Sequence, residues 1–462
     1  MDIKVKKGLN IPIKGKPSGN VQSLAPSGQP EQQVRAKQIS LNLWPFEELR
    51  LKLLKKVGDT VKIGEPIAED KGCPGRYFVA PAAGTVKDVR RGLKRRILDI
   101  VIDVAPQEEA VQFPPLKPEQ ATRQQIIDRL MEGGLFIKIR QRPFNILAQP
   151  HKTPRSIFVK AIETTPFTPP AEMQVKEHEE AFATGLAALT KLTDGPVHLV
   201  YGKESNCSAF TNAAGVQKHT VSGPHPAGTH SLHIHNIDPI TSVEDVVWTL
   251  DVHDVICIGE LLNNGRYYTE RVISIAGPAI IEGQTGYFRV REGMPIAALV
   301  AGRLPKGDIR LISGDPLMGS KVSMEDFLGV KHYSFTAIEE NTTRELLAFM
   351  RLGVNKFSYS RAYFSGHIDP SKKDYNFTTT KHGEHRPFID PAMYIKVMPM
   401  NIPTMQLVKA VMAEDYDLAE ELGLLEVAPE DFALSTFVCP SKMEMTDIIK
   451  QGLHSYAAEV IQ

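Results

Sequence analysis

The chain has 462 residues, 42% of them hydrophobic, enough to bury several cores and to make three or four domains. Lysine plus arginine and aspartate plus glutamate each number 54, which leaves no global basic field for nucleic acid and no acidic tail. No apolar run approaches the ~18 residues of a membrane span, and the opening MDIKVKKGLNIPIKG lacks the apolar stretch of a signal peptide.

That opening alternates like a strand. Residues 14–38 are rich in Gly, Pro, Ser and Gln and are expected to form a mobile loop. From 39 to 104, short alternating runs (VGDTVKIGEPIAE, YFVAPAAGTVKDV, RRILDIVIDV) are punctuated by Gly-Asp, Pro and Gly, so a β domain with the loop inside it is expected over 1–105. Prolines clustered over 106–118 mark a linker.

The rhythm then changes. QATRQQIIDRLMEGG places Ile126, Ile127, Leu130 and Met131 on one helical face, and KEHEEAFATGLAALTKL does the same with Phe182, Leu186 and Leu189. PVHLVYG and DVICIGE read as buried strands, so a parallel α/β domain is expected over 106–262. Residues 263–330 turn β again, and their Gly-rich turns with VREGMPIAALVAG resemble the soluble ligand-binding β-grasp module. Residues 331–462 are expected to be mainly helical, on TRELLAFMRLG, MQLVKAVMAEDYDLAEELG and TDIIKQGLHSYAAEVI.

The run 57–86 has the outline of the barrel-sandwich-hybrid module that carries biotin or lipoate on a lysine. A carrier lysine needs the tip of a tight hairpin, whereas Lys71 is followed by GCPGR, which adds two glycines and a proline. Lys71 is therefore read as a solvated loop charge.

EDKGCPGRYFVAPAAGTV, RRGLKRRIL, KGLNIPIKG, SGPHPAGTH and LGLLEVAPEDFALSTFVCPSK together resemble the A subunits of the bacterial sodium-translocating NADH:quinone oxidoreductases (Na+-NQR), over essentially the whole chain. The resemblance implies a peripheral subunit on the cytoplasmic face of the inner membrane, without a transmembrane span. Its partners would be the other subunits of a six-subunit complex, chiefly the membrane subunits, and ubiquinone. The complex uses NADH, flavins, iron–sulfur centres and ubiquinone. The implied fold is multidomain α/β and α+β: a barrel-sandwich-hybrid domain, a Rossmann-like domain, a β-grasp domain and a helical C-terminal domain.

Relatives of that fold hold flavin and NADH on a glycine-rich loop, because only glycine lets backbone amides approach a pyrophosphate closely. Here the corresponding stretch reads IKIRQRPFNILAQPHKTPR, and VYGKESNCSAF contains one glycine and no G-x-G-x-x-G. Arg140, Arg142, Lys152 and Arg155 could meet a phosphate or an acidic partner, but scattered cations more often form a solvated surface. The four cysteines, Cys73, Cys207, Cys257 and Cys439, form no C-x-x-C pair, and Cys439 alone cannot hold an iron–sulfur cluster. The expectation is a chain that binds no cofactor or metal and has no catalytic residue of its own; the alternative is a soluble flavin-dependent NADH dehydrogenase.

HTVSGPHPAGTHSLHIH, 219–235, holds five of the 14 histidines. His233 and His235 read as one face of a strand, with His225 and His230 on the turn before it, which makes a three-histidine metal site geometrically conceivable; no carboxylate follows until Asp238. The preferred reading is a rigid turn whose residues Ser222, Gly223, Pro224, His225, Pro226, Gly228 and His230 contact quinone or a partner protein of the complex, with His225 and His230 projecting as donors.

Overall fold

A computed structural model describes residues 1–24, 36–46, 48–341, 343, 345–347, 350–369 and 372–460. Two strands lead the chain, β1 (Asp2–Lys4) and β2 (Val21–Ser23). Neither joins the sheets that follow it directly: β1 pairs in parallel with a strand near residue 220, and β2 with one near residue 288. Of the loop expected over 14–38, residues 25–35 lie outside the described residues.

Strands β3 (Gln38–Asn42), β4 (Leu51–Leu53), β5 (Thr60–Val61), β6 (Pro66–Asp70), β7 (Tyr77–Val79), β8 (Gly84–Arg91) and β9 (Ile97–Val104) make two antiparallel sheets, ordered β3-β9-β8-β5 and β4-β6-β7. Alternation drives them together: Ile39, Leu41, Ile67, Phe78, Ile100 and Ile102 are buried in one cluster. The β6–β7 hairpin is wide and pinned. Asp70 and Arg76 close its base as a buried ion pair of 3.3 Å, and Arg76 donates to the Ala148 carbonyl at 3.0 Å. Lys71 stands exposed on this hairpin.

The next unit contains α1 (Arg123–Glu132), β10 (Arg140–Arg142), β11 (Ile146–Leu147), β12 (Ser156–Ala161), α2 (Ala171–Val175), α3 (Glu179–Thr190), β13 (Val197–Gly202), α4 (Ser208–Thr211), β14 (Gln217–Ser222), α5 (His230–Ile237), β15 (Val247–Asp251) and α6 (Val252–Asn264). The sheet runs β1-β14-β13-β12-β15-β10-β11; the first five strands are mutually parallel, while β10 and β11 form an antiparallel edge hairpin. Helix α1 starts on a reciprocal cap: Thr122 Oγ1 accepts the Gln125 N–H at 3.3 Å, and Gln125 Oε1 accepts the Thr122 N–H at 2.8 Å. Helices α3 and α6 pack so closely that a Cβ on Gly259 would stand 1.7 Å from the Ala181 carbonyl oxygen.

Two expectations are corrected here. DVICIGE is not a strand but the first turns of α6, whose start is marked by Asp254 Oδ2 accepting the Asp251 N–H at 3.3 Å. His233 and His235 lie not on a strand but in helix α5. In both cases a short apolar or alternating run fits either period, and packing on the sheet decides for helix.

Strands β16 (Glu270–Ala276), β17 (Gly286–Arg291), β18 (Ile309–Ser313), β19 (Ser320–Val322) and β20 (Ser334–Glu339), with helix α7 (Ile296–Val300), build a six-stranded mixed sheet β19-β18-β20-β16-β17-β2. Ile273, Ile275 and Phe335 of this sheet share a core with the first two sheets. The chain then runs irregularly to α8 (Ala392–Ile395), α9 (Thr404–Met412), α10 (Tyr416–Glu421), α11 (Ala433–Val438) and α12 (Met445–Val460). Leu407, Val408, Phe432, Ile449 and Leu453 from this carboxyl-terminal region join Phe158, Val221, Leu232 and Ile234 of the α/β unit in a single core. The helix expected on TRELLAFMRLG falls partly outside the described residues, and Leu346 and Leu347 there are in a turn.

Candidate functional site

After β12 the chain steps outward to β13 and β14, then crosses back to lay β15 on the other side of β12. Such a reversal opens a crevice at the carboxyl ends of the two strands, the place where open α/β sheets bind ligands. In this protein four charged and polar side chains of its own meet there. Lys160 near the end of β12 is the register partner of Asp251 at the end of β15. Its ammonium lies 3.4 Å from Asp251 Oδ1 and 3.1 Å from Glu163 Oε2. His230, the first residue of α5, reaches the same Asp251 oxygen through Nε2 at 3.2 Å.

The connection leaving β12 reads IETTPFTPP and has no glycine. Its amides are already occupied: Glu163 Oε1 accepts the N–H groups of Thr164 and Thr165, each at 3.0 Å, and the Thr165 hydroxyl at 2.6 Å. A carboxylate of the chain thus sits where a cofactor pyrophosphate would accept backbone hydrogen bonds. The phosphates of a flavin or nicotinamide dinucleotide placed here would have to displace Glu163 and face Asp251.

Burial opposes every charge in the cluster, and pairing outweighs it. The Lys160 ammonium is held protonated by Asp251 and Glu163 against its desolvation. Against their own burial, Lys160 and the His230 hydrogen bond keep the Asp251 carboxyl well below the usual carboxylate range, and Lys160 with the Thr165 bonds lowers that of Glu163.

The turn that carries the expected contact residues lies beside this cluster; His225, Pro226 and Gly228 are buried, Ser222, Pro224 and His230 half-buried, and Gly223 exposed. Ser222 ends β14. Gly223, at φ +133°, lets the chain pass where a Cβ would stand 2.3 Å from the Val5 carbonyl oxygen. Pro224 and Pro226 flank His225, which is 4% exposed. The His225 backbone is tied on both sides to the amino-terminal segment: its N–H donates to Asn10 Oδ1 at 2.9 Å, and its carbonyl accepts the Leu9 N–H at 2.8 Å.

His225 meets Thr164 through its ring. Thr164 Oγ1 accepts the Gly228 N–H at 3.0 Å and has a hydrogen to give to His225 Nδ1 at 3.1 Å, the arrangement in which the ring proton is assigned to Nε2. Burial pushes this imidazole down to about 4, so it stays neutral. The expectation that His225 and His230 stand out as donors is corrected accordingly: His230 is spent on Asp251 and His225 accepts from Thr164.

The remaining histidines of the stretch part company. His233 donates Nε2–H to the Ala227 carbonyl at 2.9 Å, His235 reaches Glu426 Oε2 at 2.5 Å, and His219 Nε2 meets His198 Nδ1 at 3.0 Å. Among the described residues, no three His, Cys, Asp or Glu side chains are grouped to hold a metal ion. Of the four basic residues in the stretch before β12, two are structural. Arg142 is buried and bonds to the Ser231 hydroxyl and the Glu426 carbonyl, and Arg155 pairs with Asp238 and Asp245 at 3.1 and 2.6 Å. Cys439 is buried, its sulfur 3.1 Å from the Tyr394 hydroxyl.

Sequence reading missed Lys160, Glu163, Thr164 and Asp251. A lysine inside the buried run SIFVKAIE was the available signal, because a lone charge in a central strand demands a partner. Among the described residues no helix is long and apolar enough to cross a membrane.

Comparison with known proteins covers the chain in three blocks. Residues 3–105 match the family model described as the NqrA N-terminal barrel-sandwich hybrid domain, 121–267 the NqrA second alpha/beta domain, and 272–324 the NQRA C-terminal domain. Curated relatives include proteins named as the A subunit of Na(+)-translocating NADH-quinone reductase. That of Chlamydia pneumoniae is 38% identical over 99% of this chain and 98% of its own length, that of Chlamydia caviae 36% over 99% and 97%, and that of Rhodopirellula baltica 37% over 99% and 98%.

Proposed function

The chain belongs to the NqrA family, the A subunits of Na(+)-translocating NADH-quinone reductase, and is a component of that reductase, and from this premise we propose that it is the complex's cofactor-free peripheral subunit. It sits on the cytoplasmic face of the bacterial inner membrane against the membrane subunits. The complex oxidises NADH, reduces ubiquinone and exports Na⁺; this chain contributes assembly and the quinone-reducing side. Its α/β unit is a Rossmann-like domain, the six-stranded sheet a β-grasp domain, and residues 331–462 a helical domain.

One observation carries the reading. The crevice that in such a sheet receives a dinucleotide holds Lys160, Glu163, Asp251 and His230, so the domain has kept its architecture and given its ligand position to an internal ion cluster. What remains for the surface beside it is contact. Of the turn Ser222, Gly223, Pro224, His225, Pro226, Gly228 and His230, the reachable residues Ser222, Gly223, Pro224 and His230 stand over buried His225, Pro226 and Gly228 on a backbone fixed by Thr164 and Asn10, and quinone or a neighbouring protein of the complex can be placed against them.

The test uses the assembled complex. His225→Ala with His230→Ala is expected to slow quinone reduction or release the chain from the complex, while electron flow from NADH to an artificial acceptor at the flavin stays intact. Unchanged quinone reduction and assembly would reduce the turn to scaffold. Loss of NADH oxidation with assembly intact would place the chain at the other end of the electron path.

A further inference from the structure

Nine of the large apolar side chains that stand exposed lie between residues 346 and 395. Leu352 and Phe364 are 69% and 66% exposed. The two legs that carry them are tied together: the Ser365 N–H donates to the Leu352 carbonyl at 2.9 Å, and the Phe364 N–H to the Arg351 carbonyl at 3.3 Å. The patch is therefore a held surface feature.

Its chemistry is one-sided. Residues 350–368, bounded by Glu345 and Asp369, hold Arg351, Lys356 and Arg361 with four aromatic residues and no aspartate or glutamate, in a chain whose charges balance overall. Between the legs lies a small cavity lined by Lys356, Ser358, Arg361, Tyr363 and Ser365, with Val354 and Ile368 among its apolar walls. Its polar side chains are cations and hydroxyls. Glu345, outside the lining, pairs with Lys356 and lies 3.7 Å from Arg351; among the described residues no ion-pair partner faces Arg361.

Cations and hydroxyls around a concavity suit a phosphate, and exposed Leu and Phe beside tyrosines suit the headgroup boundary of a bilayer. A neighbouring protein could also bring carboxylates to Arg361 and cover Phe364 and Leu352, and the complex stripped of phospholipid, below, separates that occupant from lipid. We infer that residues 350–368 form a membrane-contact surface that seats the headgroup phosphate of an anionic phospholipid between Lys356 and Arg361 and lays Leu352 and Phe364 into the interface. This goes beyond the quinone-side reading and uses none of the turn 222–230.

The full chain is mixed with vesicles of phosphatidylcholine alone, or containing phosphatidylglycerol, and sedimented. Binding is expected only to the anionic vesicles and is expected to fall as salt rises. Arg361→Gln should weaken it about fivefold, the worth of one cation at such a surface, and Phe364→Ser about tenfold through lost apolar contact. Both residues are on the surface, so an unchanged melting temperature checks that the variants fold. Equal binding to neutral vesicles, or variants that bind like the parent, would overturn the inference. So would protection of 350–368 from hydrogen exchange by inorganic phosphate alone to the extent given by vesicles, which would mark a free-anion site. Equal protection in the assembled complex stripped of phospholipid would show that a neighbouring protein, not lipid, covers the patch. None of these outcomes bears on the His225 and His230 experiment.

Discussion

At the scale of single residues, the ion cluster at the sheet's reversal governs two measurable properties. Lys160 neutralises two half-buried carboxylates, so Lys160→Ala leaves Asp251 with His230 and Glu163 with the Thr164 and Thr165 bonds but no full counter-charge, and should cost about 1–3 kcal/mol in urea unfolding. The double variant Lys160→Met, Asp251→Asn should recover part of that loss, since one uncompensated charge leaves with the other. The second property is acid sensitivity. Burial pushes His225 and His332 down to about 4 and His233 and His253 to about 3, against an ordinary 6.5. Between those values the unfolded chain binds protons that the folded chain refuses. Stability is therefore full above about pH 6.5 and falls as pH drops, by roughly 1.4 kcal/mol per pH unit for each such histidine. The depressed carboxyls of Asp251 and Glu163 act in the same direction at still lower pH. His235 opposes the trend, because its bond to Glu426 raises its pKa and stabilises the fold most below 6.5. Melting temperatures taken from pH 7 to 5 should fall, and His233→Gln should flatten the slope. An unchanged slope would mean that the buried imidazoles titrate normally.

At the scale of elements, the helix pair α3 and α6 gives an unambiguous sign. Gly259 sits mid-helix, where alanine would ordinarily be favoured by about 1 kcal/mol. Here the added methyl would meet the Ala181 carbonyl oxygen at 1.7 Å, so the helices must part. Gly259→Ala should therefore destabilise by about 1–3 kcal/mol despite the better propensity; a midpoint shift upward in denaturant would refute the close crossing. Elements of this kind are partly legible in the sequence. The long periodic runs mark α1 and α3, because length separates the two periods, and PVHLVYG, set off by its proline and glycine, marks β13. DVICIGE misleads because its seven apolar-rich residues fit both. The helix signal lies one step earlier, in Asp251 and Asp254, but acidic residues three apart also occur in turns. The ion cluster is illegible for a different reason: Lys160 and Asp251 meet only through strand register, and no local pattern specifies which strands of a parallel sheet become neighbours.

At the scale of the whole molecule, the cores show how the parts are joined. One cluster unites the two amino-terminal sheets with the six-stranded sheet, and another unites the α/β unit with the carboxyl-terminal helices. The purified chain should show no visible absorbance surviving gel filtration, and its intact mass should equal that of the sequence, with Lys71 bare. Flavin or iron near one per chain, or a biotin or lipoate increment on the Lys71 peptide, would defeat the cofactor-free reading. The joining also has a cost in time. Asp2 of β1 bonds to Thr220 of β14, 218 residues away. A ribosome adding about 5–20 residues each second emits the first strand roughly 11–44 s before its neighbour exists. During that interval the apolar side of MDIKV has no sheet to complete, so nascent-chain chaperones are expected to hold the amino terminus until β14 emerges. A rearranged gene that encodes β1 directly after β14 would remove the wait.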